Sequence, residues 1–129
     1  MKCASVPVLI FLAASSLAAA DKPTTLANAR DAIEANLKTP EGKAYEQQLG
    51  KEWMDKYPGP VKHCKQNTSG DPEPFWILLK LAKDGAVKEV LLHPETKLGT
   101  CVRETLLKDR FSAPPHPDHW VGIYLKLTK

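Results

Sequence analysis

Residues 75–92 read FWILLKLAKDGAVKEVLL. Two apolar runs flank Asp84-Gly85, and Asp-Gly in that setting is a strong β-hairpin signal. The spacing predicts strands over 75–82 and 86–92, the second ended by His93-Pro94. The first strand sets a packing problem. Its alternation puts Phe75, Ile77, Leu79 and Leu81 on one face and Trp76, Leu78 and Lys80 on the other. Both faces are apolar in part. One must lie under helices, and the other must be covered or left as a surface patch.

The flanking segments supply the cover. Leu26, Ala29 (or Arg30), Ile33 and Leu37 recur at helical spacing after Thr24 or Thr25. Thr39-Pro40 starts a second helix, with Tyr45, Leu49 and Trp53 on one face, running to about Lys56. Pro58-Gly59-Pro60 interrupts it, and a short helix or turn over 61–66 carries Cys64. After the hairpin, Leu98, Cys101, Val102, Thr105 and Leu106 form the apolar stripe of a helix over about 98–109. Residues 113–117, APPHP, are an extended connector. Val121, Ile123, Leu125 and Leu127 then alternate as a last strand. The fold class is therefore α+β: N-terminal helices, then helix, β-hairpin, helix and strand, with a small antiparallel sheet packed against helices. The outer sheet face is assigned to the N-terminal helices through Tyr45, Leu49 and Trp53. Failing that, Trp76, Trp120 and Tyr124 form an exposed aromatic patch.

Residues 1–20, MKCASVPVLIFLAASSLAAA, combine a basic start, an apolar core and a small-x-small ending, the pattern of a cleaved secretory signal. Its apolar stretch is shorter than the roughly 20 residues of a spanning helix. Contact with membrane is thus expected only through this transient segment. Its loss removes Cys3 and leaves Cys64 and Cys101 as an even pair. In an oxidising compartment such a pair is expected to form a disulfide, here across 37 positions. Cys101 lies on the inward stripe of its helix, so Cys64 is expected on a helix packed beside it. The whole chain carries a net charge of +3, which falls by one with Lys2. That balance gives no basic footprint for nucleic acid.

From Val61 onward the order of elements resembles the carboxy-terminal domain of TonB-type proteins. The nearest pattern is the two-cysteine branch at the ends of AgmX/PglI-type gliding-motility proteins. The residues that carry the resemblance are VKHC at 61–64, the hairpin at 75–92, CVRETLL at 101–107, RFSAPP at 110–115 and WVGIYLKL at 120–127. The resemblance covers about residues 61–127. It implies an α+β domain at 61–129 with a helix-to-helix disulfide; the helical segment at 21–60, read from its own residues, is expected to pack on it. It also implies a Gram-negative source and a periplasmic location. TonB energy transducers keep an N-terminal anchor and a proline-rich spacer. A chain that loses its signal and has a compact 21–60 region is not expected to relay force.

The chemistry-bearing residues are few. His116-Pro117-Asp118-His119 gathers two imidazoles and a carboxylate, the ligand types that suit zinc or copper. Completing a site would require His63 and His93 to approach in space. His63-Cys64 would suggest an activated thiol only if Cys64 stayed reduced. Glu41, Glu46, Glu52, Asp55 and Glu104 are read as solvated helix faces. Asn67-Thr68-Ser69 fits a glycosylation sequon, relevant only in a eukaryotic secretory pathway. There is no GxSxG, HExxH, P-loop or GxGxxG. No catalytic residue, metal or cofactor is assigned. The expected function is an exported, non-enzymatic protein-binding module. It would engage another envelope protein or peptide segment through a sheet edge or the Trp76, Trp120 and Tyr124 patch. The alternative is a periplasmic inhibitor or immunity protein acting on an envelope-targeting enzyme or toxin.

Overall fold

The computed structural model describes residues 24–69 and 73–127. The segment at 1–20, expected to be a secretory signal, lies outside these residues. The described elements run α1 (Leu26–Leu37), α2 (Pro40–Lys56), α3 (Pro58–Gln66), β1 (Phe75–Leu81), β2 (Val87–His93), α4 (Lys97–Leu106) and β3 (His119–Leu125). The α+β architecture and the helix–hairpin–helix–strand order agree with the sequence.

Threonine side chains start three of the helices. Thr25, Thr39 and Thr96 accept hydrogen bonds from the backbone N–H of Asn28, Gly42 and Gly99. The Pro58-Gly59-Pro60 break is tighter than expected. Pro58 becomes the first residue of α3, where its missing N–H has no role, so α2 and α3 are separated by Tyr57 alone. The expected division between residues 60 and 61 consequently falls inside α3.

The hairpin turn contains Lys83, Asp84 and Gly85 between the paired residues Ala82 and Ala86. Gly85 takes φ +89°. A Cβ there would collide with the Phe111 carbonyl oxygen, because the Gly85 carbonyl accepts from Phe111 N–H at 2.9 Å. The sheet order is β2-β1-β3, and both neighbours run antiparallel to β1.

Alternation along β1 divides the molecule into layers. Phe75, Ile77, Leu79 and Leu81 are buried on the inner face with Val90 and Leu92 of β2, Val121 of β3, and Leu98, Val102 and Leu106 of α4. Tyr45, Leu49, Trp53, Tyr57, Val61 and Cys64 complete this core. The outer face holds Leu78 and Trp120 against Ala29, with Leu26, Ala32, Ile33 and Leu91 around them. The expectation that Tyr45, Leu49 and Trp53 cover the outer face is therefore corrected. They belong to the inner core, and α1 lies over the outer face. The small side chain of Ala29, fully buried, lets α1 settle against the large Trp120 ring.

Cys64 and Cys101 form a disulfide joining α3 to α4, with Cα atoms 5.7 Å apart. Cys64 is consequently unavailable as a thiol nucleophile.

Candidate functional site

Helix α1 is held at both ends across the outer face. At its start, Thr24 donates from N–H and Oγ1 to the two carboxylate oxygens of Glu89 on β2, at 3.1 and 3.2 Å. At its end, Asn36 Nδ2 donates to the Trp120 carbonyl on β3 at 3.0 Å. In an antiparallel ladder the backbone groups of alternate residues face opposite neighbours. Since the Trp120 carbonyl is turned away from β1, so are the backbone groups of Gly122 and Tyr124.

Asn36 and the β2 contacts hold the end of the sheet around Leu81. The Val87 N–H donates to Asp109 O at 3.1 Å, and Ala86 bridges to Arg110, so the start of β2 is shielded. Val87 and His119 both sit opposite Leu81. Shielded residues thus cluster at the carboxy-terminal end of β1. The other end is where Trp76 lies opposite Tyr124. Their rings are 5.1 Å apart at 45°, and both are exposed, at 43% and 51%. Trp120, on the same face, is only 5% exposed under α1. The expected aromatic patch is corrected accordingly: it contains Trp76 and Tyr124, while Trp120 is core.

Beside this pair lies a groove of about 310 Å³. Its floor is Trp76, Leu78 and Gly122; its walls come from Ile33 and Leu37 of α1, and its rim holds Arg30, Glu34 and Glu46. Burial raises the carboxyl pKa of Glu46. The solvated helix face expected for Glu46 and Glu52 is corrected at both positions. Glu46 is half-buried at the groove rim. Glu52 accepts from the Ser112 N–H at 3.1 Å and from the Ser112 hydroxyl. Ser112 in turn offers its carbonyl to the Tyr45 hydroxyl at 2.7 Å. Burial, and then the Glu52 charge, push the Tyr45 hydroxyl pKa far up.

The three candidate metal residues separate. His116 and His119 meet, with Nε2 of the first 2.9 Å from Nδ1 of the second. His116 also contacts Asn36 Oδ1 at 2.8 Å and the Pro117 carbonyl at 2.9 Å. His119 is buried on the inner face, edge-on to Tyr45 at 5.1 Å. Asp118, at φ 52°, turns away and pairs with Lys88 at 2.8 Å. His63 is engaged with Asn67 on α3. Among the described residues, no group of three or more His, Cys, Asp or Glu side chains is placed to hold a metal ion.

Sequence reasoning did not single out the groove residues Arg30, Glu34 and Gly122, nor Glu46 as a site residue. Gly122 carried the one available signal: it interrupts an otherwise β-favouring strand, HWVGIYL. Compared with protein-family models, curated proteins and solved structures, the chain matches none.

Proposed function

We propose that this chain is an exported, non-enzymatic binding module that engages another envelope protein or a peptide segment through the open end of its sheet. The observation that carries the reading is the exposed pair of Trp76 with Tyr124 of the edge strand β3, beside Gly122 and Tyr124 backbone groups that make no hydrogen bond outside the β1–β3 ladder among the described residues. Exposed aromatic residues beside a groove are characteristic of partner sites. An edge strand with free N–H and C=O groups can accept a further strand by β-augmentation. The Cys64–Cys101 disulfide favours an oxidising compartment such as the periplasm. The resemblance of residues 61–127 to TonB-type carboxy-terminal domains belongs to the same proposal, without the force-relaying role.

The test is affinity purification from an envelope extract, comparing the wild-type protein with Trp76→Ala and Tyr124→Pro. The proline removes an outward N–H while leaving the β1–β3 ladder intact. Loss of a specific partner with either variant, at unchanged melting temperature, is the expected result. Recovery of the same partners in the same amounts by all three proteins defeats the reading.

A further inference from the structure

Gly122 is a glycine that the fold does not require. Its φ is not in the left-handed region, where only Gly85 is found among the described glycines. The β1–β3 register runs without a bulge from Phe75–Leu125 to Leu81–His119. A Cβ at Gly122 would meet Ile33 Cδ1 at 3.5 Å, Leu78 Cδ2 at 3.6 Å and Trp76 Cζ3 at 3.7 Å. These are ordinary van der Waals distances to the tips of side chains. Glycine inside a strand weakens it, and where neither bulge nor bend explains it, close approach of a ligand or of another backbone segment is the remaining common cause; the three atoms nearest that Cβ all belong to side chains. What the missing side chain creates is the floor of the groove between α1 and Trp76.

The rim of that groove specifies charge. Glu34 on α1 and Glu46 on α2 both line it, against the single guanidinium of Arg30. Neither carboxylate has an ion-pair partner among the described residues. Glu46 is half-buried, so its charge is poorly solvated and gains from a cation brought to it. Trp76 adds an aromatic surface, which attracts cations as well as aliphatic chains.

We propose that this groove receives a lysine or arginine side chain of an extended partner segment, its aliphatic stem over Gly122 and its charged head between the Glu34 and Glu46 carboxylates. The inference deepens the docking reading above and rests on it. It adds the chemistry of the partner: a basic residue whose stem lies along the apolar floor, as long charged side chains do.

The test is NMR titration of the purified, disulfide-bonded protein with blocked single amino acids, the N-acetyl N-methylamides of lysine, arginine and norleucine. Norleucine has an aliphatic stem without the charge. The expected result is a saturable shift of the Gly122 amide and Trp76 indole signals with the two cationic probes, and weaker binding of norleucine. Glu46→Gln should weaken lysine binding roughly two- to fivefold, the range of a partly exposed ion pair, and leave norleucine unchanged. Gly122→Val should fill the floor and abolish binding of all three probes; Gly122→Ser serves if the valine variant does not fold. Norleucine binding as tightly as lysine, lysine binding insensitive to Glu34→Gln and Glu46→Gln together, or no shift with any probe overturns the inference. The docking reading is judged separately, by partner recovery with Trp76→Ala and Tyr124→Pro.

Discussion

His119 Nδ1 lies 2.9 Å from His116 Nε2, and His116 Nε2 in turn meets Asn36 Oδ1 near the end of α1 at 2.8 Å, so the connector before β3 is tied to both. Asn36 fixes the protons. Its Nδ2 donates to the Trp120 carbonyl, so its Oδ1 faces His116 Nε2, which must donate. A neutral, buried imidazole on the inner face anchors the first residue of β3.

That arrangement makes stability depend on pH. Burial first, and the charge on His116 second, hold the His119 pKa down to about 4. An unfolded histidine titrates near 6.5, so between these values the unfolded chain binds more protons than the folded one. Stability is full above about pH 6.5 and is lost as pH falls towards 4, by on the order of 3 kcal/mol. Urea unfolding of wild type at pH 7.5 and 4.5 should show this loss, and His119→Phe should flatten it. An equal pH dependence in the variant defeats the assignment.

Burial separates the two tryptophans of the outer face. Trp120→Ala should cost about 3–5 kcal/mol, as for a large aromatic removed from a core. Trp76→Ala, at an exposed position, should cost less than about 1 kcal/mol. Chemical denaturation of the pair measures both, and similar costs would contradict the placement of α1.

Reduction of Cys64–Cys101 should be strongly destabilising. Releasing a loop of 37 positions is worth roughly 3–4 kcal/mol by the chain-entropy argument. Thermal unfolding with and without reductant gives the difference. Thiol titration of denatured protein spanning residues 21–129 should find no free thiol, and two reactive thiols would refute the bond.

Two glycines should respond in opposite directions. Gly85→Ala places a side chain at φ +89° against the Phe111 carbonyl and should cost well over 1 kcal/mol. Gly50, inside α2, has open space for 4 Å around the position a methyl group would take, so Gly50→Ala should stabilise by about 0.5–1 kcal/mol. Melting temperatures of the two variants should bracket that of wild type.

Tyr57 and Asp109 form a second pH-linked pair. Burial tends to raise the Asp109 pKa, but the Tyr57 hydroxyl at 2.6 Å, the Arg110 N–H and the Lys56 charge outweigh it and lower the value. Its contribution is therefore present above about pH 4 and is lost as pH falls through the lowered folded-state value. Tyr57→Phe should cost roughly 1–3 kcal/mol at pH 7, since Asp109 loses a hydrogen bond to a charged group. The cost should shrink at pH 2 if the variant is still folded there in stabilising salt; an unchanged cost would argue against the pairing.

Much of the fold was legible from residue order. The Asp84-Gly85 turn, the threonine caps at 25 and 39, and the apolar periods of α1, α2, α4 and β3 are set within a few residues, where local hydrogen bonding and side-chain spacing decide the conformation. The cysteine pair was legible because only Cys64 and Cys101 fall outside the apolar run at residues 1–20. The start of α4 at Lys97 was not, because its cap, Thr96, sits ahead of the apolar stripe that begins at Leu98.

Short-range chemistry and the cysteine positions were enough to set the elements, their order, the two-faced β1 and the disulfide. Tertiary structure alone decided which helix took which face. A strand with two apolar faces accepts either cover, and only the volumes of Ala29 and Trp120 on one side and of Tyr45, Leu49 and Trp53 on the other discriminate. The same long-range packing, which brings Asn36 to Trp120 across 84 positions, buried one tryptophan, exposed another and opened the groove above Gly122.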